Sequence, residues 1–447
     1  MIGASLSFLD TTIVNVAVHT LSVDLHAGLG AVQWVVTAYL LALAAVIPVT
    51  GWAARRVGAS RLYVAALAMF TVGSVLCACS QNVEMLVASR VLQGIGGGAI
   101  MPVGTMIWTA QSSKAQMGRV MAVIAIPVIL APTLGPTVGG LLIEYINWQA
   151  IFWLNVPFGI AGVVLALRLL PKDEGGNMGR LDVTGLILAS AGVVGITYGL
   201  AEFGAAAALN MATTAGLLIG VAALAAFVVH ALRAKQPLLD LGLYASPMFT
   251  AASIATLTLG AANYGGMILM PLYFQTVRGE SVIIAGLLVA PTGLGALLSA
   301  PLIDRHGAGI TSFVGAALLA ICTIPFVFLT STTSYALLCC LMVIRGLGFG
   351  LSIIPAMTAA YRVLPQDKVP DATPQLNVLQ RVGGAIGTAV FTVVLNDQLR
   401  HQPTPAGQAS GFGATFLWVL AITIIATVTT LLLAYTERHA PQRANTP

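Results

Sequence analysis

The feature that most constrains this chain is a succession of apolar runs, each about as long as the hydrocarbon core of a bilayer is thick. Lipid cannot hydrogen-bond a peptide group, so a segment crossing it must bond every N–H and C=O internally, as an α-helix of about 20 residues does. Measured with that ruler the sequence divides into fourteen runs, over 1–21, 31–54, 61–80, 84–110, 118–143, 149–170, 181–203, 211–232, 247–275, 281–303, 310–330, 334–361, 374–396 and 411–435. Only 8% of the 447 residues are charged, against about 25% in a soluble domain, too few to wet the outside of a water-soluble fold. The expected class is an all-α membrane protein with fourteen transmembrane helices.

The basic residues test that count, because Lys and Arg gather in the loops on the inner face of a membrane. With both termini inside, the outer loops hold only Arg278 and Arg400, and Arg90, Arg345 and Arg381 fall within helices. All the rest of the twenty lie in inner loops or the tail. One helix too many or too few would invert this alternation from that point on.

Two charged connections, 171–182 and 233–240, bracket helices seven and eight, with six helices before them and six after. The expected organisation is a six-helix bundle over 1–170, a linker with two inserted helices over 171–240, a second six-helix bundle over 241–436 and an inner tail over 437–447. Internal repetition supports it. Gly51-Trp-Ala-Ala-Arg55-Arg56-Val-Gly58 after helix two is echoed by Ala300-Pro-Leu-Ile-Asp304-Arg305-His-Gly307 after helix ten, and Arg90-Val-Leu-Gln93-Gly94-Ile-Gly96 by Arg345-Gly-Leu-Gly348-Phe-Gly350. Halves duplicated in this way hold their functional site at the interface.

Several classes are disfavoured. The net charge of +5 comes with no dense basic run or aromatic-interleaved basic patch, so nucleic acid is not an expected partner. Cys77, Cys79, Cys322, Cys339 and Cys340 all fall in apolar segments, without metal-site spacing or a disulfide framework. The first run carries Asp10 in its middle and no basic segment before it, so it reads as a membrane helix and not as a cleaved leader. No Walker-type phosphate loop occurs, and no His-Glu-x-x-His, Ser–Lys or paired-Asp constellation lies at membrane depth, so neither a nucleotide cofactor, a metal nor an enzyme is expected.

Asp10 is the most informative residue. A carboxylate in the middle of an apolar helix is expensive and tends to mark a proton or cation site, and burial favours its neutral form. The alternative is a static hydrogen bond to Thr11, Thr12 or a neighbouring helix. Arg90, inside helix four, likewise has to face the protein interior and find a partner.

The run Leu9 to Ala17, Leu-Asp-Thr-Thr-Ile-Val-Asn-Val-Ala, resembles the first-helix motif of the fourteen-helix drug:proton antiporter branch of the major facilitator superfamily, whose members include EmrB- and QacA-like exporters. Arg90-Val-Leu-Gln93-Gly94 resembles its fourth-helix motif. Ala131-Pro-Thr-Leu-Gly135-Pro136-Thr-Val-Gly139-Gly140 resembles its fifth-helix antiporter motif, with Ala131 in place of the usual Gly. Asn147-Trp148, Asn155-Val-Pro157, Pro271 to Gly279 and Arg381-Val-Gly383-Gly384-Ala-Ile-Gly387 are also in pattern. After helix two the family's usual Asp is replaced by Arg55, whereas the second-half copy keeps Asp304. A short tail usually precedes the first helix, so the natural start is expected upstream of Met1.

The resemblance implies a major facilitator fold of two six-helix bundles plus a two-helix insertion. It implies proton-coupled efflux of small hydrophobic, often cationic compounds across a bacterial inner membrane, powered by the proton gradient with no cofactor. In that fold helices one and four line one cavity, so Asp10 and Arg90 are expected to pair and to part on protonation. Gly135, Pro136, Gly139 and Gly140 are the expected gating motif, since Pro136 bends the helix and the glycines admit a neighbour. Arg56, Asp304, Arg305, Arg345 and Arg381 are the expected conformational latch, with static pairing or plain topology as the alternative. Asn15, Tyr39, Asn155, Asn263, Tyr264 and Met267 are the expected cavity lining. A periplasmic adaptor is a further candidate partner. Competing readings are the same fold exporting a physiological lipid, siderophore or metabolite, and a membrane sensor that transports nothing.

Overall fold

The computed structural model describes residues 2–111, 135, 137–171, 173, 175–176, 179–206, 210–299, 302, 307–400, 402 and 404–439. Among these there is no strand; the chain runs through helices α1 (Ile2–Asp24), α2 (Leu29–Val46), α3 (Thr50–Val57), α4 (Ala59–Ala78), α5 (Val83–Gln111), α6 (137–145), α7 (Gln149–Leu169), α8 (Val183–Ala206) and α9 (Met211–Arg233). It continues through α10 (Pro247–Met267), α11 (Leu269–Thr276), α12 (Val282–Val289), α13 (Pro291–Ser299), α14 (Ala308–Val327), α15 (Tyr335–Arg362), α16 (Val369–Leu399) and α17 (Pro405–His439).

Among the described residues ten helices are long and apolar enough to cross a membrane, or eleven if the two parts of α1 form one span. The difference from fourteen has physical causes. The expected ninth span is divided between α10 and α11 and the tenth between α12 and α13, the latter break falling at Pro291, whose missing N–H and ring interrupt a helix. The expected fifth span lies largely outside the described residues. Helix α1 bends by 44° between Ile2–Val14 and Val16–Asp24. Just before the bend the hydroxyls of Thr11 and Thr12 donate to the carbonyls of Ser7 at 2.8 Å and Leu9 at 3.0 Å, back-bonding that bends helices.

Apolar side chains face outward around the protein, Phe328 at 73% and Leu218 at 66% exposure among them, as expected where lipid is the solvent. Helices α8 and α9 pair through glycine: a Cβ on Gly195 would stand 2.8 Å from Cα of Gly220, and one on Gly199 3.1 Å from the carbonyl carbon of Gly216. Small residues of this kind let backbones approach where no hydrophobic effect drives association. The pair leans on both halves of the chain, for Ser190 on α8 donates to the Ala45 carbonyl in the last turn of α2 at 2.7 Å, while Gly204 lies against Ala389 of α16.

One echo read from the sequence recurs in three dimensions. Gly58 and Gly307 both hold a positive φ, 93° and 86°, a region that favours glycine, and each opens a helix capped by a distant carboxylate. Asp173 accepts from the Ser60 N–H at 3.0 Å at the start of α4, and Glu437 from the Ala308 N–H at 3.1 Å at the start of α14.

Candidate functional site

Five helices converge on Asp10. Gln93 is placed on the same face of α5 as Arg90 by its i+3 spacing, and close backbone approach brings that face inward: a Cβ on Gly73 of α4 would stand 2.7 Å from Cα of Gln93, and one on Gly94 2.6 Å from the Tyr39 carbonyl oxygen of α2. Asp10, Arg90, Gln93, Asn155 and Tyr39 are each 0% exposed.

The carboxylate is fully engaged. Arg90 donates through Nη1 to Asp10 Oδ2 at 2.5 Å, while Gln93 Nε2 and Asn155 Nδ2 donate to Oδ1 at 2.9 and 2.8 Å. Ser74 accepts from Gln93 at 2.7 Å, fixing that amide. Arg90 has neutral partners as well: its Nε donates to the Val35 carbonyl at 3.0 Å, its Nη1 reaches Gln93 Oε1 at 2.6 Å, and its guanidinium carbon stands 4.0 Å above the Tyr39 ring. Neutralising Asp10 therefore leaves the cation with a carbonyl, an amide and a π face, which lowers the penalty of breaking a buried ion pair. The Asn155 Oδ1 atom, by contrast, is buried without a partner.

The fifth-helix motif lies against this site. Gly135 faces Thr12, and a Cβ on Gly139 would stand 2.6 Å from the Ile13 side chain, so these glycines let their helix approach α1 two and three residues past Asp10. Gly140 faces the second half, with Ile283 at 4.0 Å, beside a cavity of about 280 Å³ lined by Val16, Gly140, Ile143, Glu144, Ser281 and Ile283. Pro136 lies outside the described residues, as do Asp304 and Arg305.

At the opposite end, where Arg55, Arg56 and Arg61 cluster, the two halves are joined by an ion pair between Arg55 of α3 and Asp371 of α16, with side chains 21% and 12% exposed. Gly51 packs beneath it against the Pro370 carbonyl. Nearby, Lys368 donates to Asp240 at 2.7 Å; this bond holds the Asp240 carboxyl below its usual range, partial burial opposing it, and holds the Lys368 ammonium above its own. The expected latch residue Arg56 is exposed, and its neighbour Arg55 makes a cross-half ion pair.

The remaining expected residues scatter. Arg345 is 7% exposed and its Nη1 has no partner. Arg381 is half-buried, with the phenols of Tyr264 and Tyr39 as the ionisable groups acting on it. Asn263 donates to the Leu259 carbonyl at 2.9 Å within its own helix. Tyr264 and Met267 are half-buried; of Asn15 only the backbone is described. Tyr39 and Asn155, read as cavity lining, belong to the Asp10 cluster. Sequence reasoning gave Gln93, Ser74 and Asp371 no role; only Gln93 had a usable signal, its i+3 spacing from Arg90.

Comparisons with known proteins bear on the family and the fold. The model of the Major Facilitator Superfamily matches residues 1–388. The chain is 34% identical over 409 residues to the Multidrug resistance protein B homolog of Mycobacterium tuberculosis (strain ATCC 25618 / H37Rv), covering 90% of this chain and 76% of that protein. It is 30% identical to the Putative multidrug resistance protein MdtD of Serratia proteamaculans (strain 568), over 90% and 84% of the two chains. Among solved structures it superposes on the proton:xylose symporter XylE with a TM-score of 0.64 at 13% identity, over 94% and 92% of the chains; at that identity the likeness is one of fold.

Proposed function

This chain belongs to the Major Facilitator Superfamily, and from that premise we propose that it is a proton-coupled exporter of small hydrophobic compounds, working by alternating access across a bacterial inner membrane. Fourteen spans form two six-helix bundles with α8 and α9 inserted between them, both termini lying on the inner side, so that the end carrying Arg55, Arg56 and Arg61 faces the cytoplasm. Asp10 carries the proton.

The observation behind this reading is a carboxylate of zero exposure bound by a guanidinium that keeps neutral partners of its own. A buried guanidinium needs acceptors for its five N–H donors, and here two of those acceptors are neutral. Protonating Asp10 removes the attraction between α1 and α5 without stranding Arg90, and the glycine-lined contact of Gly135 and Gly139 with α1 provides a surface along which that helix shifts. One proton moving down about 100 mV releases about 2.3 kcal/mol, which at about 1.4 kcal/mol per tenfold sustains roughly a 40-fold gradient of a neutral compound. Resistance-named relatives support export as the direction.

The test is efflux from proteoliposomes under an imposed proton gradient. The native chain should accumulate a hydrophobic dye against its gradient, whereas Asp10→Asn should exchange dye at equilibrium but fail to concentrate it. Full gradient-driven accumulation by Asp10→Asn would sink the assignment.

A further inference from the structure

Two guanidinium groups at membrane depth have no anionic partner among the described residues, and from this we infer that the transported compound is an amphipathic organic anion, an apolar body bearing a carboxylate or sulfonate, held through Arg381. The inference rests on the exporter reading above and names the charge class of its substrate.

The argument starts from an inventory. Of the fifteen Asp and Glu residues, Asp10 alone sits in the middle of an apolar helix, and it is engaged by Arg90. Every other carboxylate among the described residues lies in a loop or within about a turn of a helix end. Among the described residues Arg345 and Arg381 therefore have no acid at that depth, and neither makes an ion pair or a side-chain hydrogen bond there. A lysine so placed could shed its proton, but an arginine stays charged. An unpaired buried charge is costly to keep.

The two arginines stand in different settings. Arg345 lies within the second half, packed so closely on α10 that a Cβ on Gly266 would collide with its Nη2; it sets a positive field from behind. Arg381 is placed for contact. It belongs to α16, the helix that meets the first half through Asp371, and its neighbour Gln380 donates to the Tyr264 hydroxyl of α10 at 3.5 Å. Apolar groups cross the same seam: Phe8 and Met101 pack against the core of the second half, and Val378, nearly one turn from Arg381, against that of the first. A cation on a helix whose seam with the first half is crossed by Phe8 and Met101 fits a ligand with an apolar body and an anionic head. A cationic compound would meet like charge there. With one proton entering per cycle, export of a monoanion moves two positive charges inward, of a neutral compound one, and of a monocation none.

The experiment uses three probes of one shape, 1-naphthoate, 1-naphthamide and 1-naphthylmethylammonium, bound to the purified full chain by tryptophan quenching and driven through proteoliposomes with current recording. Naphthoate should bind at least roughly tenfold tighter than the other two. Arg381→Gln should erase that preference, with an unaltered size-exclusion profile and melting temperature as the control for folding, and Arg381→Lys should retain part of it. Transport of naphthoate should carry two charges per cycle. Failure of naphthoate to bind, equal binding of the three, preference for the ammonium, or a preference that survives Arg381→Gln overturns the inference. Charge-selective binding and Arg381 dependence with naphthoate flux indifferent to Asp10→Asn would leave the anion site standing and sink the proton coupling instead.

Discussion

Asn155 gives its Nδ2 to Asp10 Oδ1 at 2.8 Å while the Oδ1 of the same carboxamide, equally buried, has no partner. The two facts together describe an amide set for one protonation state and equipped for the other. A protonated Asp10 needs an acceptor, and the Gln93 oxygen already receives Arg90 at 2.6 Å. Half a rotation of the Asn155 amide offers its free oxygen instead, so its response follows the proton.

Asn155→Asp should therefore shift the pH profile in a known direction. It puts a second carboxyl beside the first, and two carboxylates sharing a site hold one proton more tightly. The pH profile of proton-driven export should move to higher pH, so that activity persists there. An unchanged profile would show that Asn155 is not electrostatically linked to the coupling step.

Gly139→Leu should push α1 off its helix, because even a Cβ there would stand 2.6 Å from the Ile13 side chain. Overpacking of this kind costs about 1–3 kcal/mol, and here it falls three residues from Asp10. Export should be lost while the chain still reaches the membrane, checked by flux and by size-exclusion profile. Wild-type flux would exclude a role for this contact.

Arg55→Gln should loosen the end that carries the Arg55–Asp371 pair. A partly exposed pair is worth up to about 1 kcal/mol, roughly a fivefold shift between closed and open forms at about 1.4 kcal/mol per tenfold. Gly51→Val should act in the same sense, since its side chain meets the Pro370 carbonyl. Spin-label distances between Val57 and Asp367 should lengthen in both variants; unaltered distributions would mean that this contact is not a gate.

Asp240→Asn should flatten the acid limb of the stability curve. Lys368 holds the Asp240 carboxyl below its usual range, so the stabilisation is present above the unfolded value of about 3.9 and is lost as pH falls through the lower folded value. Both partners are about a third exposed or more, and solvent screening limits the effect to less than about 1 kcal/mol. Melting curves in detergent between roughly pH 6 and pH 3 should show a smaller acid decline in the variant; equal declines would count against the pair.

Much of the site was legible because charge in an apolar helix has few permitted explanations. Asp10 and Arg90 stood out for that reason, and they do meet, at 2.5 Å. Gly58 and Gly307 were legible as an echo and are the same turn twice. The partners Ser74 and Asp371 were not, because a serine in a membrane helix and an acid at a helix end are both common and neither carries a periodic signal. Arg55 looked like a departure from a motif until the seam between the halves placed Asp371 opposite it.

The sequence by itself determined the solvent, the all-helical class and the presence of a charge that must be buried, since these follow from run length, composition and the cost of desolvation, all local properties of the chain. The tertiary structure decided which groups satisfy that charge and which go unsatisfied. Asp10 receives donors from α5 and α7, residues 80 and 145 positions away, and Arg345 receives no carboxylate among the described residues. Hydrogen bonds form between neighbours in space, and nothing in local spacing records which distant helices the packing will bring together.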